Sequence, residues 1–264
     1  MNNCQMDIGP LKSKAGEFAF PQGKHEILPA LPIRALALGP GSSGKTNMLV
    51  TLITDPRFFR GAWEHIYWCS PTSNVDDSLQ PLRDYVRDLK QDQDEDPTFH
   101  DTLDVDFLQK VVARQRRVTE WMKKQKPRPK KGYGCLIVID DLADANRHAD
   151  KCGSFVDMLY VKARHWGVST IVASQKLKLP LISPCLRVNI TCMFVWKLRN
   201  QSDLWDGVIH ELSAIVSKDR LNEVYQDAVS IPYGFLYVNL LAKSIDHMFH
   251  QGFNRRYILS GNDK

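Results

Sequence analysis

Gly39, Pro40, Gly41, Ser42, Ser43, Gly44, Lys45 and Thr46 match the spacing G-x-x-x-x-G-K-[ST] at every required position. That spacing serves phosphate binding. Phosphates need several backbone N–H groups converging on one concavity, and glycines let the backbone come close. Lys45 then reaches the β- and γ-phosphates, and the Thr46 hydroxyl binds Mg²⁺. A helix starting at the loop aims its positive end at the anion. The expectation is a nucleoside triphosphate bound with Mg²⁺, in a context that favours its hydrolysis.

Three further side chains complete such a site. A phosphate loop needs a second Mg²⁺ anchor, usually an Asp at the end of a buried strand. Asp140 follows the apolar run CLIVI at 135–139 and is the candidate. Asp141 stands next to it and is the candidate to orient or deprotonate the attacking water. Gln175 ends the run VSTIVASQ. The carboxyl ends of parallel strands form one crevice, so Gln175 is a candidate to sense the γ-phosphate or position water.

These residues require strands that deliver them. The run IRALAL at 33–38 is short, apolar and bounded by Pro32 and Gly39, as suits a buried parallel strand. A helix is expected over 46–54, stopped by Asp55–Pro56. Further strands are expected at 65–69, 135–139, 168–173, 191–196, 235–240 and around 257–259. Helical spacing marks 105–124, 154–164, 203–217 and 218–228. Strands alternating with helices give an α/β fold, with a mostly parallel central sheet flanked by helices. The last strands make a small C-terminal β extension. Residues 1–30 read as an irregular N-terminal arm and 31–264 as a single domain, within which 84–131 is a charged insertion or connection.

Composition narrows the setting. Apolar residues make up 43% and charged residues 25%, the balance of a globular protein. No apolar run approaches the roughly 18 residues of a membrane span. The start of the chain lacks the apolar core of a secretory signal, and the six cysteines are scattered without a CxxC pair, which points to the cytosol or nucleus. His247 and His250 have a His-x-x-His spacing but no HExxH partner, so no metal site is expected there. Acids crowd 84–106, and nine Lys or Arg then stand against the single acid Glu120 in 114–131. Contact with DNA phosphates, a nuclear import signal and a solvated loop all remain open for that basic stretch.

Three blocks in order, LPIRALALGPGSSGKT, CLIVIDDLAD and ARHWGVSTIVASQKLKLPLISPCLRVNI, resemble the poxvirus-type DNA-packaging ATPases. That family also occurs in giant viruses, virophages and Polinton/Maverick elements, and belongs to the FtsK–HerA superfamily of ring-forming DNA pumps. The likeness runs from Leu31 to Tyr257, with YGFLYVNL as its less specific end. Its telling part is Arg164–His165 before a strand, Gln175 at the end of that strand, and Leu186-Arg187-x-Asn189 after it. The resemblance implies an additional-strand, RecA/FtsK-like P-loop fold. It implies a homo-oligomeric ring, hexamer or pentamer, that moves double-stranded DNA into a preformed capsid at the expense of ATP. A capsid or portal-vertex protein would dock the ring, in the host cytoplasm or nucleus and on the virion. Each site would lie between subunits, with Arg187 or Arg164 of the neighbour neutralising transition-state charge. One position departs from the superfamily: Asp141 stands where cellular members mostly carry Glu.

Two other readings share the loop. A nucleoside or nucleotide kinase would need an Arg-rich lid over the phosphates, for which the basic run at 114–131 is the sole contender. A nucleotide-dependent ring component with weak turnover would bind without appreciable hydrolysis.

Overall fold

A computed structural model describes residues 20–89, 97–141 and 149–260, apart from 24, 26, 128 and 178–181. Most of the expected arm, the acids Asp92, Asp94, Glu95 and Asp96, and residues 142–144 of the CLIVIDDLAD block lie outside the described residues. In chain order the elements are β1 (Arg34–Leu38), α1 (Lys45–Thr54), β2 (His65–Cys69), α2 (Gln80–Asp88), β3 (Phe99–His100), α3 (Val105–Lys124), β4 (Cys135–Asp140) and α4 (Ala149–Val161). There follow β5 (Val168–Ser174), α5 (Pro184–Asn189), β6 (Cys192–Trp196), a π-helical turn over Asp203–Ile209, α6 (His210–Leu212), α7 (Lys218–Ala228), β7 (Phe235–Asn239), β8 (Phe249–Gln251) and β9 (Arg255–Arg256).

One sheet carries all nine strands of the described residues, in the order β3-β2-β4-β5-β1-β6-β7-β8-β9. The ladders from β3 to β6 are parallel. Those from β6 to β9 are antiparallel and form the C-terminal extension. β5 lies between β1 and β4, so an additional strand does separate the phosphate-loop strand from the acid-bearing one.

The central strands are buried on both faces, which is why they read as unbroken apolar runs. Along β1 the side chains alternate. Ala35 and Ala37 face a core that includes Met48, Leu49 and Leu52 of α1 and Leu82 and Val86 of α2. Leu36 and Leu38 face the other core, with Val111 of α3, Leu159 of α4 and Leu221 of α7. The small residues on one side let α1 come close to the sheet. Tyr160 ties α4 to the sheet, its hydroxyl donating to the Ala35 carbonyl at 2.5 Å.

Some local expectations differ from the fold. The strand expected at 257–259 is absent, and the last ladder forms earlier, at Arg255–Arg256. Asp246 accepts the N–H groups of Leu259 and Ser260, each at 2.7 Å, and so draws that segment out of the sheet. The helix expected over 203–217 is π-wound in its first part and turns after Leu212. Gly207 packs so closely on Leu177 that a Cβ would lie 2.5 Å from its Cδ2, and wide winding accommodates that contact. The helix expected over 154–164 begins at Ala149, and its end tightens into a 3-10 turn at Ala163–Trp166, closed by Gly167 at φ +78°. The elements α2, β3, α5 and β8 are additional.

Ile137, at 0% exposure in the centre of β4, anchors this sheet to the α3–α4 layer. Ile137→Ala is expected to lower stability by about 2–5 kcal/mol. Val188→Ala, at a side chain 76% exposed on α5, should change it by less than about 0.5 kcal/mol. Urea unfolding of both variants measures the contrast.

Candidate nucleotide site

The sheet register lines up three strand ends. Leu38 pairs with Ser174, and Asp140 pairs with Ala173. Just beyond, the Gly39 N–H donates to the Ser174 carbonyl and the Asp141 N–H to the Ala173 carbonyl, both at 3.1 Å. Gly39, Asp141 and Gln175 therefore leave the sheet side by side, at the carboxyl ends of parallel strands.

The loop at 39–46 is shaped by backbone that few residues adopt. Gly44 has φ +91° and sits where a Cβ would lie 3.3 Å from the Tyr233 ring. Gly39 crosses Trp196 so closely that a Cβ would come within 2.8 Å of it. The Gly44 carbonyl accepts from the Met48 N–H at 3.0 Å, which starts α1 directly out of the loop. The unpaired N–H groups of its first turn face the concavity. The Lys45 ammonium donates to the carbonyls of Gly39 (2.8 Å) and Pro40 (2.9 Å), which holds it over the loop. Burial lowers its pKa, and the charges of Asp140 and Asp141 oppose that shift.

Thr46 and Asp140 meet across the end of β5. The Thr46 hydroxyl donates to Asp140 Oδ2 at 3.3 Å. Asp140 is 5% exposed. Burial pushes its carboxyl up to about 6, the Lys45 charge pulls it down, and the Asp141 charge adds to the rise. A hydroxyl and a buried, undercompensated carboxylate facing each other beside a phosphate loop are the donors that Mg²⁺ takes. The residues present fit that ion.

Asp141 and Gln175 form a second pair. The Gln175 amide donates to Asp141 Oδ2 at 2.5 Å. Asp141 has φ +50°, in the left-handed region. Asp tolerates this region better than most residues, Glu included. The backbone here accounts for the shorter acid.

Neither candidate arginine is near this loop in its own chain. Arg164 precedes β5, at the opposite end of a seven-residue strand, which is roughly 20 Å away. Arg187 lies on α5 just before β6 enters the sheet, and pairs with Glu211 at 2.9 Å. In the basic stretch, Arg116 pairs with Glu120 and Lys131 with Glu64, both at 2.8 Å, and Arg114 donates to the Tyr67 hydroxyl at 2.5 Å. At least these three cations of that stretch are engaged within the chain.

Sequence reasoning missed one wall of the site. A cleft of about 810 Å³ runs from the phosphate loop between Arg57 and Phe58, after α1, and Tyr233, Phe253 and Asn254 of the C-terminal extension. Tyr233 is 74% exposed and its backbone has φ +58°, so its ring stands free beside Gly44. Phe58 and Phe253 pack ring to ring at 4.8 Å. Aromatic faces with a neighbouring amide suit a nucleobase. The signal was an aromatic in the Pro-Tyr-Gly turn at 232–234, far from the loop in sequence.

Neither a family model nor a curated protein sequence matches the chain. Solved structures do. The genome-packaging NTPase B204 of Sulfolobus turreted icosahedral virus 2, in complex with AMP, has a TM-score of 0.50 at 14% identity, over 86% of this chain and 98% of that one. The pCW3 conjugation coupling protein TcpA, with ATPγS, has a TM-score of 0.50 at 14% identity, over 83% and 59%. The type VII secretion ATPase EccC of Thermomonospora curvata has a TM-score of 0.50 at 13% identity, over 80% and 24%. This chain thus spans almost all of B204, but little more than half of TcpA and a quarter of EccC. The fold, a mostly parallel sheet extended by antiparallel C-terminal strands, is one this chain shares with these proteins. At these identities the likeness is one of fold. No helix among the described residues is long and apolar enough to cross a membrane.

The raised Asp140 pKa carries a stability consequence. The folded chain holds that proton more tightly than the unfolded one, whose carboxyl titrates near 3.8. Stability is therefore lost as pH rises from about 4 to about 6, by at most about 3 kcal/mol. Asp140→Asn is expected to raise the thermal midpoint of the ligand-free chain at neutral pH and to flatten this pH dependence. Calorimetry across that range tests both.

Proposed function

We propose that this chain is an ATP-driven translocase of double-stranded DNA. It works as a homo-oligomeric ring, hexamer or pentamer, and packs a viral genome into a preformed capsid, docked on a capsid or portal-vertex protein. The setting is the host cytoplasm or nucleus and the virion. The observation that carries this reading is the row formed by Gly39, Asp141 and Gln175 at the ends of β1, β4 and β5. It joins a phosphate loop to a paired acid and amide across an additional strand. The three sequence blocks, which resemble packaging ATPases, map onto these strand ends and the two arginines. B204, of the same fold, is a genome-packaging NTPase, and TcpA a conjugation coupling protein.

The residues divide the work. The 39–46 backbone and Lys45 bind the β- and γ-phosphates. Thr46 and Asp140 hold Mg²⁺, which when bound neutralises charge on the phosphate oxygens. Asp141 accepts a proton from the attacking water, and Gln175 fixes the carboxylate that does so. The water oxygen bonds to the γ-phosphorus as the bond to the β–γ bridging oxygen breaks, leaving ADP and phosphate. Arg164 or Arg187, remote from the loop of its own chain, serves the neighbour's site in the ring. Tyr233 and Phe58 receive the base.

ATP turnover is expected to rise when duplex DNA is added and to vanish in Lys45→Ala. Gln175→Ala should lower kcat by about 10²-fold with little change in KM. Tyr233→Ala should raise the dissociation constant for ATP about 3–10-fold with kcat nearly intact. A chain that stays monomeric with ATP and shows no DNA-stimulated turnover contradicts the proposal.

A further inference from the structure

A second cavity, of about 650 Å³, opens between the segment preceding β1 and the loops around β8 and β9. Its described lining carries His25, Lys243, His247, His250 and Arg256, and no Asp or Glu. Asp246, in the same turn as His247, is committed to the N–H groups of Leu259 and Ser260 and to the Ser260 hydroxyl. Lys243, His247 and Arg256 are exposed. His250 is 3% exposed, and its Nδ1 has no hydrogen-bond partner among the described residues.

The electrostatics of His250 report what the cavity holds. Burial pushes its imidazole down to about 4 against an opposing bond to the Met248 carbonyl, and Arg256, His247 and His25 add like-charge repulsion. Positive potential thus converges on a concavity whose described lining offers no carboxylate to neutralise it. The rest of the wall is apolar, with Ile27, Leu28 and Phe253. Cations and imidazole N–H donors over an apolar wall suit an oxyanion attached to an organic body.

We propose that this cavity is a phosphate-ester site, distinct from the phosphate loop, with Lys243 and Arg256 binding the phosphate and His25, His247 and His250 lining it. A free phosphate compound and the phosphodiester backbone of a nucleic acid share this chemistry. Phe253 and Asn254 line both cavities, so the turn between β8 and β9 is a common wall. The cation of the loop, Lys45, stands on the other side of that wall. The site does not depend on the ATPase reading.

The test titrates the full chain and the double variant Lys243→Gln/Arg256→Gln with AMP, inorganic pyrophosphate and a short DNA duplex by calorimetry at low ionic strength. The variant should bind at least one probe about tenfold more weakly or worse, since each charge-assisted bond contributes that order of affinity. ATPγS binding, measured in parallel, should stay within about twofold and shows that the variant is folded and the loop intact. Loss confined to duplex DNA assigns the cavity to a nucleic-acid backbone. Loss for AMP or pyrophosphate assigns it to a free phosphate compound. The control Lys110→Gln/Lys218→Gln removes the same charge elsewhere and should leave every affinity unchanged. In the unaltered chain, the ¹⁵N shift of His250 Nδ1 should move when the responsive probe is added. Equal losses in both double variants, no loss for any probe, or an unmoved His250 signal would overturn the proposal.

Discussion

β5 separates the strand that carries the phosphate loop from the strand that carries the acid, and every other feature of the site follows from that separation. Neighbouring strands lie about 4.8 Å apart, so β1 and β4 stand roughly 10 Å from one another. A loop leaving β1 must arch over the end of β5 before its helix can meet Asp140. The left-handed residues Ser42 and Gly44 turn the backbone through that arch, and Thr46 closes it at 3.3 Å from the carboxylate. Because β5 ends beneath the arch, its next residue, Gln175, comes within reach of Asp141. The ladders of β5 to β1 and to β4 thus set the spacing of all four side chains. A slip of one residue in either would turn the paired residues to the opposite face of the sheet.

The same arrangement makes the fold less stable than it need be. Asp140 is buried without a full counter-charge, Asp141 sits in a strained backbone region, and Lys45 is held out of water. Strain and desolvated charge persist only where the surrounding structure fixes them. Here the two apolar layers on either face of the sheet do so. On the proposed reading, a polyanion and a divalent cation supply charges that complement those already present.

Much of this was legible in the sequence, and the reasons are particular. Strands buried on both faces betray themselves as apolar runs, so β1, β4, β5 and β6 were read nearly to the residue. Their ends meet in one crevice, so the candidates named from the sequence, the 39–46 loop, Asp140, Asp141 and Gln175, lie together. Three things were not legible. β3 and β8 are two and three residues long, too short to carry a period, and α2 places only Leu82, Tyr85 and Val86 at helical spacing within an acid-rich stretch. The end of the chain is decided by a capture, Asp246 on Leu259 and Ser260, that no local pattern announces. The aromatic wall of the cleft brings Phe58, Tyr233 and Phe253 together from distant parts of the sequence, and sequence proximity cannot foretell that grouping. Arg164 and Arg187 show the converse, since they belong to the most specific sequence block yet lie at the far end of the strands.

The central claim is that the three strand ends form one triphosphate site completed by a neighbouring subunit. Electron cryomicroscopy of the protein with a non-hydrolysable ATP analogue, Mg²⁺ and duplex DNA tests it most directly. The account predicts a closed ring with DNA in its pore, Mg²⁺ between Thr46 and Asp140, Asp141 and Gln175 facing the γ-phosphate, and Arg164 or Arg187 arriving from the next subunit. A nucleotide bound away from the 39–46 loop, or a site complete within a monomer, would contradict it.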